Sequence, residues 1–170
     1  MQIRKANTID ISQLTSLAKE TFIQSHGHSS PKEDLEAYIK LNFTETVFKK
    51  EIENPKNIYY LLYNEEKLIG YSKIVFNDPI SPVSDQNITK LSRIYILEEA
   101  HGKGLGVAFL NYNLELAKAE KQAGMWLFVW VDNHRAISFY KKMGFEIVGS
   151  HDFEISKTHS NPNHQMYLGF

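Results

Sequence analysis

The sequence predicts a mixed α/β (α+β) protein in which helices and strands follow one another along the chain. Two β-rich runs, Ile58–Tyr63 and Leu68–Phe76, flank the turn residues Asn64–Lys67 and therefore predict an antiparallel hairpin. The uninterrupted apolar run Met125–Val131 is typical of a strand buried on both faces. Between these runs, apolar residues recur at helical spacing, at Leu105, Phe109, Tyr112 and Leu116.

Composition sets limits on the domain count and on the partners. With 170 residues, of which 42% are hydrophobic and 12% aromatic, the chain is long enough to bury one substantial core, so we expect a single domain, residues 1–170. A formal net charge of −1 provides no global basic field for nucleic acid or for an anionic membrane, so neither is expected as a partner. The absence of cysteine excludes disulfides, thiolate nucleophiles and cysteine-ligated zinc.

The first residues of the sequence show no targeting signal. The first ten residues, MQIRKANTID, have no apolar core of the kind found in signal peptides, and no apolar stretch approaches transmembrane length. We therefore expect a cytoplasmic protein.

The chain begins with a short strand and a helix. Residues Gln2–Lys5 read as the first strand, and Asp10 with Gln13 can cap the helix that follows. The apolar face of this helix consists of Ile11, Leu14, Leu17, Ala18 and Phe22.

Two further helical segments precede the predicted hairpin. Ser30 and Glu33 form a capping-box pattern, and Pro31 suits the first helical position, so a second helix is predicted to run to about Lys40. A shorter third helix is predicted over Thr46–Glu53, because Asn54 and Pro55 end the pattern there.

The second half of the chain alternates strands and helices. A loop is predicted at Asn77–Asn87, followed by a strand at Ile88–Leu97 and a helix that runs to about Lys121. After the apolar strand, a helix is predicted that is capped by Asp132 and Asn133 and ends at Gly144. The last two predicted strands lie near Phe145–Glu154 and Gln165–Phe170, and a polar loop at Asn161–Asn163 separates them.

The turn HGKGLG, residues 101–106, is the clearest candidate for chemistry. Glycines at 102, 104 and 106 let the backbone approach a ligand, and the first N–H groups of the helix that follows have no intrahelical partners, so an anion such as phosphate fits there. Val107 and Ala108 after the last glycine argue strongly against a Walker A loop, which needs lysine followed by serine or threonine there. Val107 also occupies the position of the third glycine in the dinucleotide fingerprint, which leaves a partial match. A simple tight turn without a ligand stays open as an alternative.

The order of the elements, with HGKGLG after the fourth strand and NHRAISFYKKMGF after the fifth, resembles the GNAT superfamily of acyl-CoA-dependent N-acetyltransferases. The runs RIYI, WLFVW and AISFYKKMGF, with Gly149 and His151 soon after, are most similar to the PaiA-type polyamine acetyltransferases. The resemblance implies a GNAT fold: a mixed, mostly antiparallel sheet of about seven strands flanked by about four helices, splayed between strands four and five. It also implies acetyl-CoA as cosubstrate and no metal.

Site residues follow from the resemblance residue by residue. The family pattern of glutamine or arginine followed by glycines falls on His101, Gly104 and Gly106, so histidine is a departure that would weaken cofactor affinity or make it depend on pH. An exposed turn histidine without a role is the alternative. Backbone groups of the fourth strand are expected to pair with the pantetheine arm, and Asn133 to hydrogen-bond the cofactor. The complete set implied for cofactor binding is Ile94, Tyr95, Ile96, His101, Gly102, Lys103, Gly104, Leu105, Gly106, Asn133 and Tyr140.

The same resemblance assigns the catalytic role to Tyr140, which matches the tyrosine that protonates the departing CoA thiolate. Its position on the apolar stripe with Ala136 and Ile137 also fits simple core packing. No base is assigned for the acceptor amine, because Ser92 stands where PaiA-like proteins tend to carry a carboxylate, and Glu98 and Glu99 lie beyond the strand.

The expected substrate is a primary amine of a small molecule, with a polyamine such as spermidine or spermine as the first choice. The carboxylates of the segment Glu33–Glu36 would attract a polycation, whereas Lys157, His159 and His164 would repel one when charged. A peptide or aminoglycoside amine, and a CoA-binding regulatory module without turnover, remain as alternatives, and a homodimer is allowed. The seven histidines form no metal-binding motif, so no metal is expected.

Overall fold

The computed structural model describes all residues from 1 to 170 and contains seven strands and five α-helices. The elements are β1 (Gln2–Lys5), α1 (Ile11–His26), α2 (Lys32–Asn42), α3 (Glu45–Glu53), β2 (Ile58–Asn64), β3 (Lys67–Val75), β4 (Ile88–Ile96), α4 (Leu105–Ala119), β5 (Gly124–Trp130), α5 (His134–Lys142), β6 (Glu146–Ser156) and β7 (His159–Gly169). Single turns of 3-10 helix stand at Thr8–Asp10 and Glu98–Ala100. No helix has both the length and the apolar character needed to cross a bilayer.

The strands form one mixed sheet in the order β1-β2-β3-β4-β5-β7-β6. The pairs β1–β2, β2–β3, β5–β7 and β6–β7 are antiparallel, whereas β4 and β5 are parallel. The parallel register pairs Ile88–Lys90 with Gly124–Trp126, and both strands continue beyond it. The predicted fold class is therefore confirmed, with five helices instead of about four because Glu45–Glu53 forms a full helix.

The chain divides into two compact units, and each is described by itself. The first comprises Met1–Ile74 and Arg93–Leu110, and the second comprises Val75–Ser92 and Asn111–Phe170. In the first unit, Leu61 packs into the core beneath α1, and the next residue, Leu62, packs with Ile69 and Phe109. Because neighbouring strand residues point to opposite faces, the first unit has apolar packing on both sides of β2.

The capping residue predicted for α1 does not cap it; the cap lies before the 3-10 turn that precedes α1. Asn7, not Asp10, accepts the capping hydrogen bond, from the N–H of Ile9 at 3.0 Å, and it opens the 3-10 turn that precedes α1. The Asp10 carboxylate instead accepts bonds from Arg4 at 2.6 and 2.8 Å and from Gln13 at 2.7 Å. This guanidinium partner lowers the pKa of the buried Asp10 carboxyl group. Arg4, six residues earlier in the chain, and the backbone N–H of Asn7, at 3.0 Å, thus bind the carboxylate that local spacing assigned to the start of α1.

The next two helix starts also differ from the pattern. Pro31 is the residue that precedes α2, and the hydroxyl of Ser30 is buried without a hydrogen-bond partner, so the predicted capping box of Ser30 and Glu33 is wrong. Helix α3 begins at Glu45, because the Thr44 hydroxyl accepts from the N–H of Val47 at 3.2 Å.

The second unit ends in a long hairpin, and here the predicted polar loop is wrong. Residues Asn161–Asn163 lie inside β7, and Asn161 and Asn163 are buried. The register of β7 with β5 begins at Asn163, so Pro162 lies beyond that ladder, where a missing N–H costs no strand bond. Proline therefore does not break the strand, because no ladder bond needs its N–H, while its carbonyl still accepts from the N–H of Val131 at 3.0 Å.

The last turn of α1 carries a histidine in an apolar setting. The ring of His26 packs on Phe22 at 4.9 Å between centroids, and its Nε2 lies 3.2 Å from the Tyr95 hydroxyl. Burial, with a smaller contribution from His28, lowers the pKa of His26 to about 4. The folded protein therefore holds this imidazole neutral at pH values where the unfolded chain protonates it.

We predict that His26 makes the protein sensitive to mild acid. Because its folded pKa of about 4 lies below the unfolded value near 6.5, its contribution is present above about pH 6.5 and is lost as pH falls towards 4. The loss amounts to about 2 to 3 kcal/mol of the free energy of unfolding. Urea unfolding at several pH values should show a shallower acid dependence in His26→Phe than in the parent. An equal slope in both proteins would contradict the prediction, and His134→Gln, at an exposed site, controls for the loss of one histidine.

Candidate functional site

A glycine-containing turn in the first unit connects β4 to α4. Gly102 and Gly104 have φ angles of 78° and 74°, in the left-handed region that favours glycine. A Cβ atom built on either residue would meet nothing within 4 Å, so this side of the turn is open. Gly106 lies in the first turn of α4 and has no positive φ angle. Two of the three glycines are thus required by the backbone, and the third is not.

The start of α4 presents free amide groups beside this turn. The helical hydrogen-bond pattern begins with the N–H of Ala108, which donates to the carbonyl of Gly104 at 3.1 Å. The N–H groups of Leu105, Gly106 and Val107 precede that bond and have no partner inside the helix. Together with the positive end of the helix dipole, they form a site that suits a phosphate or diphosphate.

His101 fixes the turn to the end of β4. Its ring Nε2 lies 2.8 Å from the carbonyl oxygen of Ile96, and its backbone N–H donates to the carbonyl of Glu98 at 3.0 Å. Since a carbonyl accepts only, Nε2 carries the proton in this bond. The departure from the family pattern therefore has a local structural role, which the sequence did not reveal.

The end of β4 directs its side chains into two different apolar clusters. Ile94 and Ile96 pack with Phe109, whereas the Tyr95 ring stacks on Tyr71 at 5.7 Å and its hydroxyl meets His26. Burial raises the pKa of Tyr95 to about 12, so the phenol stays protonated. The side chains of this segment are thus packed in the core, and only its backbone groups are able to bind a ligand.

An ion cluster in the first unit was missed by sequence reasoning. Arg93 on β4 donates to Glu51 of α3 at 3.3 Å and to the Tyr59 hydroxyl at 2.9 Å. Lys73 donates to the same Glu51 carboxylate at 3.0 Å, and Tyr59 also donates to it. Burial alone would raise the pKa of Glu51, but Arg93, Tyr59 and Lys73 outweigh it and hold the pKa below its ordinary value. The sequence signal that could have revealed this cluster is the presence of charged residues, such as Lys73 and Arg93, inside apolar strand runs.

Asn133 and Tyr140 belong to the second unit. The Asn133 side chain accepts from the N–H of Ala136 at 3.1 Å, which confirms it as the N-cap of α5. Tyr140 is 8% exposed, and its ring packs edge-on against Phe139 and Phe145 at 5.2 and 5.6 Å. Burial and contact with two phenylalanine rings therefore pack the Tyr140 ring into the second unit.

The remaining candidates lie at the surface or carry other partners. Lys103 is exposed, and Glu99 forms an exposed ion pair with Lys67. The hydrogen bond from Lys67 lowers the pKa of Glu99. No three histidine or carboxylate side chains converge in a geometry that would hold a metal ion.

Comparison with known proteins identifies the family. The sequence model of the acetyltransferase (GNAT) family matches residues 12–145, which is more than half of the chain. An uncharacterised N-acetyltransferase from the pepI 3′ region of Lactobacillus delbrueckii subsp. lactis is 25% identical over 153 residues, which cover 90% of this chain and 88% of that protein. The spermine/spermidine N(1)-acetyltransferase of Bacillus subtilis is 29% identical over 111 residues, covering 62% of this chain and 73% of that protein.

A solved structure supports the same assignment at the level of the fold. The crystal structure of PaiA N-acetyltransferase from Thermoplasma acidophilum, in complex with coenzyme A, superposes with a TM-score of 0.78 at 22% identity, covering 99% of this chain and 98% of that one. The sheet with its parallel β4–β5 pair and the glycine turn before α4 agree with this fold. The chain therefore belongs to the acetyltransferase (GNAT) family and is an acetyl-CoA-dependent N-acetyltransferase.

Proposed function

We propose that residues 1–170 act as one acetyltransferase domain that moves an acetyl group directly from acetyl-CoA to a primary amine of a small molecule. The acceptor that we propose is a polyamine such as spermidine or spermine. The observation that carries the proposal is the open turn between β4 and α4, in which two left-handed glycines precede three helix N–H groups without helical partners. The family match, which covers residues 12–145, supports treating the chain as one domain.

In this proposal, the turn holds the pyrophosphate of the cofactor. Amides of residues 102–106 donate to its oxygens, His101 keeps the turn in shape, and Lys103 adds positive charge. Backbone groups of Ile94, Tyr95 and Ile96 pair with the pantetheine arm, and Asn133 hydrogen-bonds the cofactor while it caps α5. The bound cofactor supplies an acetyl thioester. No metal is needed, because amide donors and the helix dipole already compensate the phosphate charge.

We propose that Tyr140 holds a proton near the cofactor sulfur. Proton transfer from a phenol with a pKa near 10 to a thiolate with a pKa near 8.5 is uphill by about 2 kcal/mol. Orienting the sulfur and sharing its charge by a hydrogen bond is therefore the main part of the role. The rigid packing of the ring against Phe139 and Phe145 supports it, because a fixed donor loses little entropy when it acts.

The acceptor must lose a proton before it reacts. A primary ammonium with a pKa near 10.4 costs about 4 to 5 kcal/mol to deprotonate at neutral pH. The carboxylate of Glu51 is engaged by Arg93, Lys73 and Tyr59, and Glu99 is paired with Lys67 at the surface, so neither is proposed as the base. Ser92 is half-buried in β4 and has no acidic side chain. We propose that water carries this proton to solvent.

Two observations support a polyamine over other amines. The relative from Bacillus subtilis is a spermine/spermidine N(1)-acetyltransferase. In this chain, Glu33 and Glu36 on α2 are exposed, and Glu36 makes only an exposed pair with Lys32 at 3.7 Å. Such carboxylates attract a polycation at low salt and release it at high salt.

We predict that Gly106→Val weakens coenzyme A binding by about 10- to 100-fold and leaves the fold intact. A valine side chain at the first turn of α4 would occupy phosphate space and remove one or more charge-assisted bonds, each worth roughly 1.5 to 3 kcal/mol. Because the φ angle of Gly106 is not positive, the substitution introduces no backbone strain. Calorimetric titration measures the effect, and Asn111→Val, on the exposed side of α4, is the matched control. Unchanged affinity in folded Gly106→Val would remove this turn from the cofactor site.

We predict that Tyr140→Phe lowers kcat by a factor between about 10 and 10⁴, with a smaller change in the KM for acetyl-CoA. The substitution removes the hydroxyl and keeps the ring that packs on Phe139 and Phe145. Steady-state rates with a fixed amine, together with thermal unfolding, test it. Rates within twofold of the parent would leave Tyr140 as a packing residue.

We predict that spermidine and spermine give acetylated products in a screen that also contains amino acids, peptides and aminoglycosides. Their kcat/KM should fall as ionic strength rises, because the attraction is between a polycation and exposed carboxylates. Turnover of a peptide or aminoglycoside with no polyamine product would refute the polyamine assignment. Tight coenzyme A binding without product from any amine would instead indicate a regulatory module.

A further inference from the structure

A row of aromatic side chains crosses the sheet of the second unit. Trp126 and Phe128 lie two residues apart on β5, so they share one face of the sheet, and their rings meet edge-to-face at 5.1 Å. Phe128 also stacks on His151 of β6, with 4.6 Å between centroids and 22° between planes. The three rings thus form one continuous aromatic surface.

An ammonium group of the protein itself lies on this surface. The Nζ atom of Lys90 is 4.7 Å from the centroid of Trp126 and 5.6 Å from that of Phe128. Both distances are within the range of cation–π attraction. The same ammonium lies 3.8 Å from the carboxylate of Asp78. Two rings and one carboxylate therefore surround a single alkylammonium ion.

The walls of this pocket are fixed independently of the lysine. The indole N–H of Trp126 donates to the backbone carbonyl of Asp78 at 2.6 Å, which sets the plane of the ring and the place of the carboxylate together. Stacking on His151 sets the plane of Phe128. Trp126 is 3% exposed, whereas the Lys90 side chain is 29% exposed and the Asp78 side chain 39%. The walls are rigid, and the occupant and its counterion reach solvent.

We propose that Trp126, Phe128 and Asp78 form an ammonium pocket that binds a non-reacting ammonium of the amine acceptor, and that Lys90 is the resident occupant that the acceptor displaces. This proposal rests on the proposed function, because it assumes an acceptor with more than one charged nitrogen. It assigns the selection of polyamines over monoamines to the second unit.

The exchange is physically reasonable because it replaces one alkylammonium by another. The rings and the carboxylate keep a cation in either state, so the electrostatic attraction lost with Lys90 is regained with the substrate. Released Lys90 regains hydration and side-chain entropy, since its side chain already reaches solvent. A carboxylate beside two ring faces repels anions, so the chemical class of the ligand is a cationic amine.

Substitutions in the pocket test the inference through substrate discrimination. Phe128→Leu keeps an apolar side chain and removes the ring, and we expect the KM for spermidine to rise by about 5- to 30-fold, as expected for a partly desolvated cation–π contact. The ratio of kcat/KM for spermidine to that for butylamine, which has one nitrogen, should fall by a similar factor. Phe128→Tyr keeps the ring and is the matched control. A spermidine KM in Phe128→Leu within twofold of the parent would overturn the proposal.

Two further variants separate recognition from folding. Asp78→Asn removes the charge and leaves the backbone carbonyl that accepts from Trp126, so it should raise the spermidine KM even if Phe128→Leu folds poorly. Lys90→Met removes the competing ammonium and should lower the spermidine KM by about 3- to 10-fold. An unchanged or higher spermidine KM in Lys90→Met would show that Lys90 is only a structural contact.

A quaternary probe tests the pocket even if the proposed function fails. Hexamethonium carries two cationic nitrogens that neither donate hydrogen bonds nor accept an acetyl group, so it reports cation–π recognition alone. We expect calorimetry to show binding to the parent and at least fivefold weaker binding to Phe128→Leu. Equal binding, or none, would overturn the pocket. If hexamethonium binds as expected while no polyamine is acetylated, the proposed acceptor is wrong and the ammonium pocket stands.

Discussion

The position of strand β4 in the first unit depends on one ion cluster. Arg93 joins the strand to Glu51 of α3 and to Tyr59 of β2, and Lys73 of β3 completes the cluster. The side chains of Lys73, Glu51 and Arg93 are only 14%, 21% and 21% exposed. One carboxylate therefore holds two cations in a region with limited water, where attraction between charges is strong and an unpaired charge is costly.

The cluster acts together with aromatic packing. The guanidinium of Arg93 lies over the rings of Phe43 and Phe48, at 5.9 and 5.5 Å, so the cation that meets Glu51 is also held by the helical layer. Loss of Glu51 alone would leave two poorly solvated cations, which typically costs several kcal/mol. The strand that the cluster fixes leads directly to the glycine turn, two residues of which have backbone angles that only glycine adopts readily. Rigid packing before the turn and open backbone within it are the combination that an amide-lined anion site needs.

The second unit contributes groups of a different kind. Asn133 starts α5, and Tyr140 is held on that helix by two phenylalanines. On its sheet, an aromatic surface already binds an ammonium, that of Lys90. Within the proposed function, the first unit handles phosphate charge through backbone donors, and the second handles positive charge through rings and a carboxylate. Backbone amides suit an anion because they donate hydrogen bonds to it, and aromatic ring faces suit a cation because they attract it electrostatically.

Much of this arrangement was predictable from short stretches of sequence. Strand runs, helix periodicity and the turn at 101–106 are local patterns, so β2 to β5 and α4 were predicted with only small differences at their ends. Local patterns failed where a residue of another element competed for a side chain, as when Arg4 of β1 bound the Asp10 carboxylate that was predicted to cap α1. They also failed at Pro162, because the sequence does not show that the ladder with β5 begins one residue later.

The sequence by itself determined the fold class, the glycine turn and, through its resemblance to a family, the acetyltransferase chemistry. Only the tertiary structure decided what His101, Arg93 and Lys90 contact: a carbonyl five residues back, a carboxylate on α3 and two rings on β5. The physical reason is that hydrogen bonds, ion pairs and cation–π contacts depend on distances of a few ångströms, which are set by how the chain turns and packs and not by spacing in the sequence. Periodicity in the sequence fixes which face a side chain occupies, and packing fixes what it meets there.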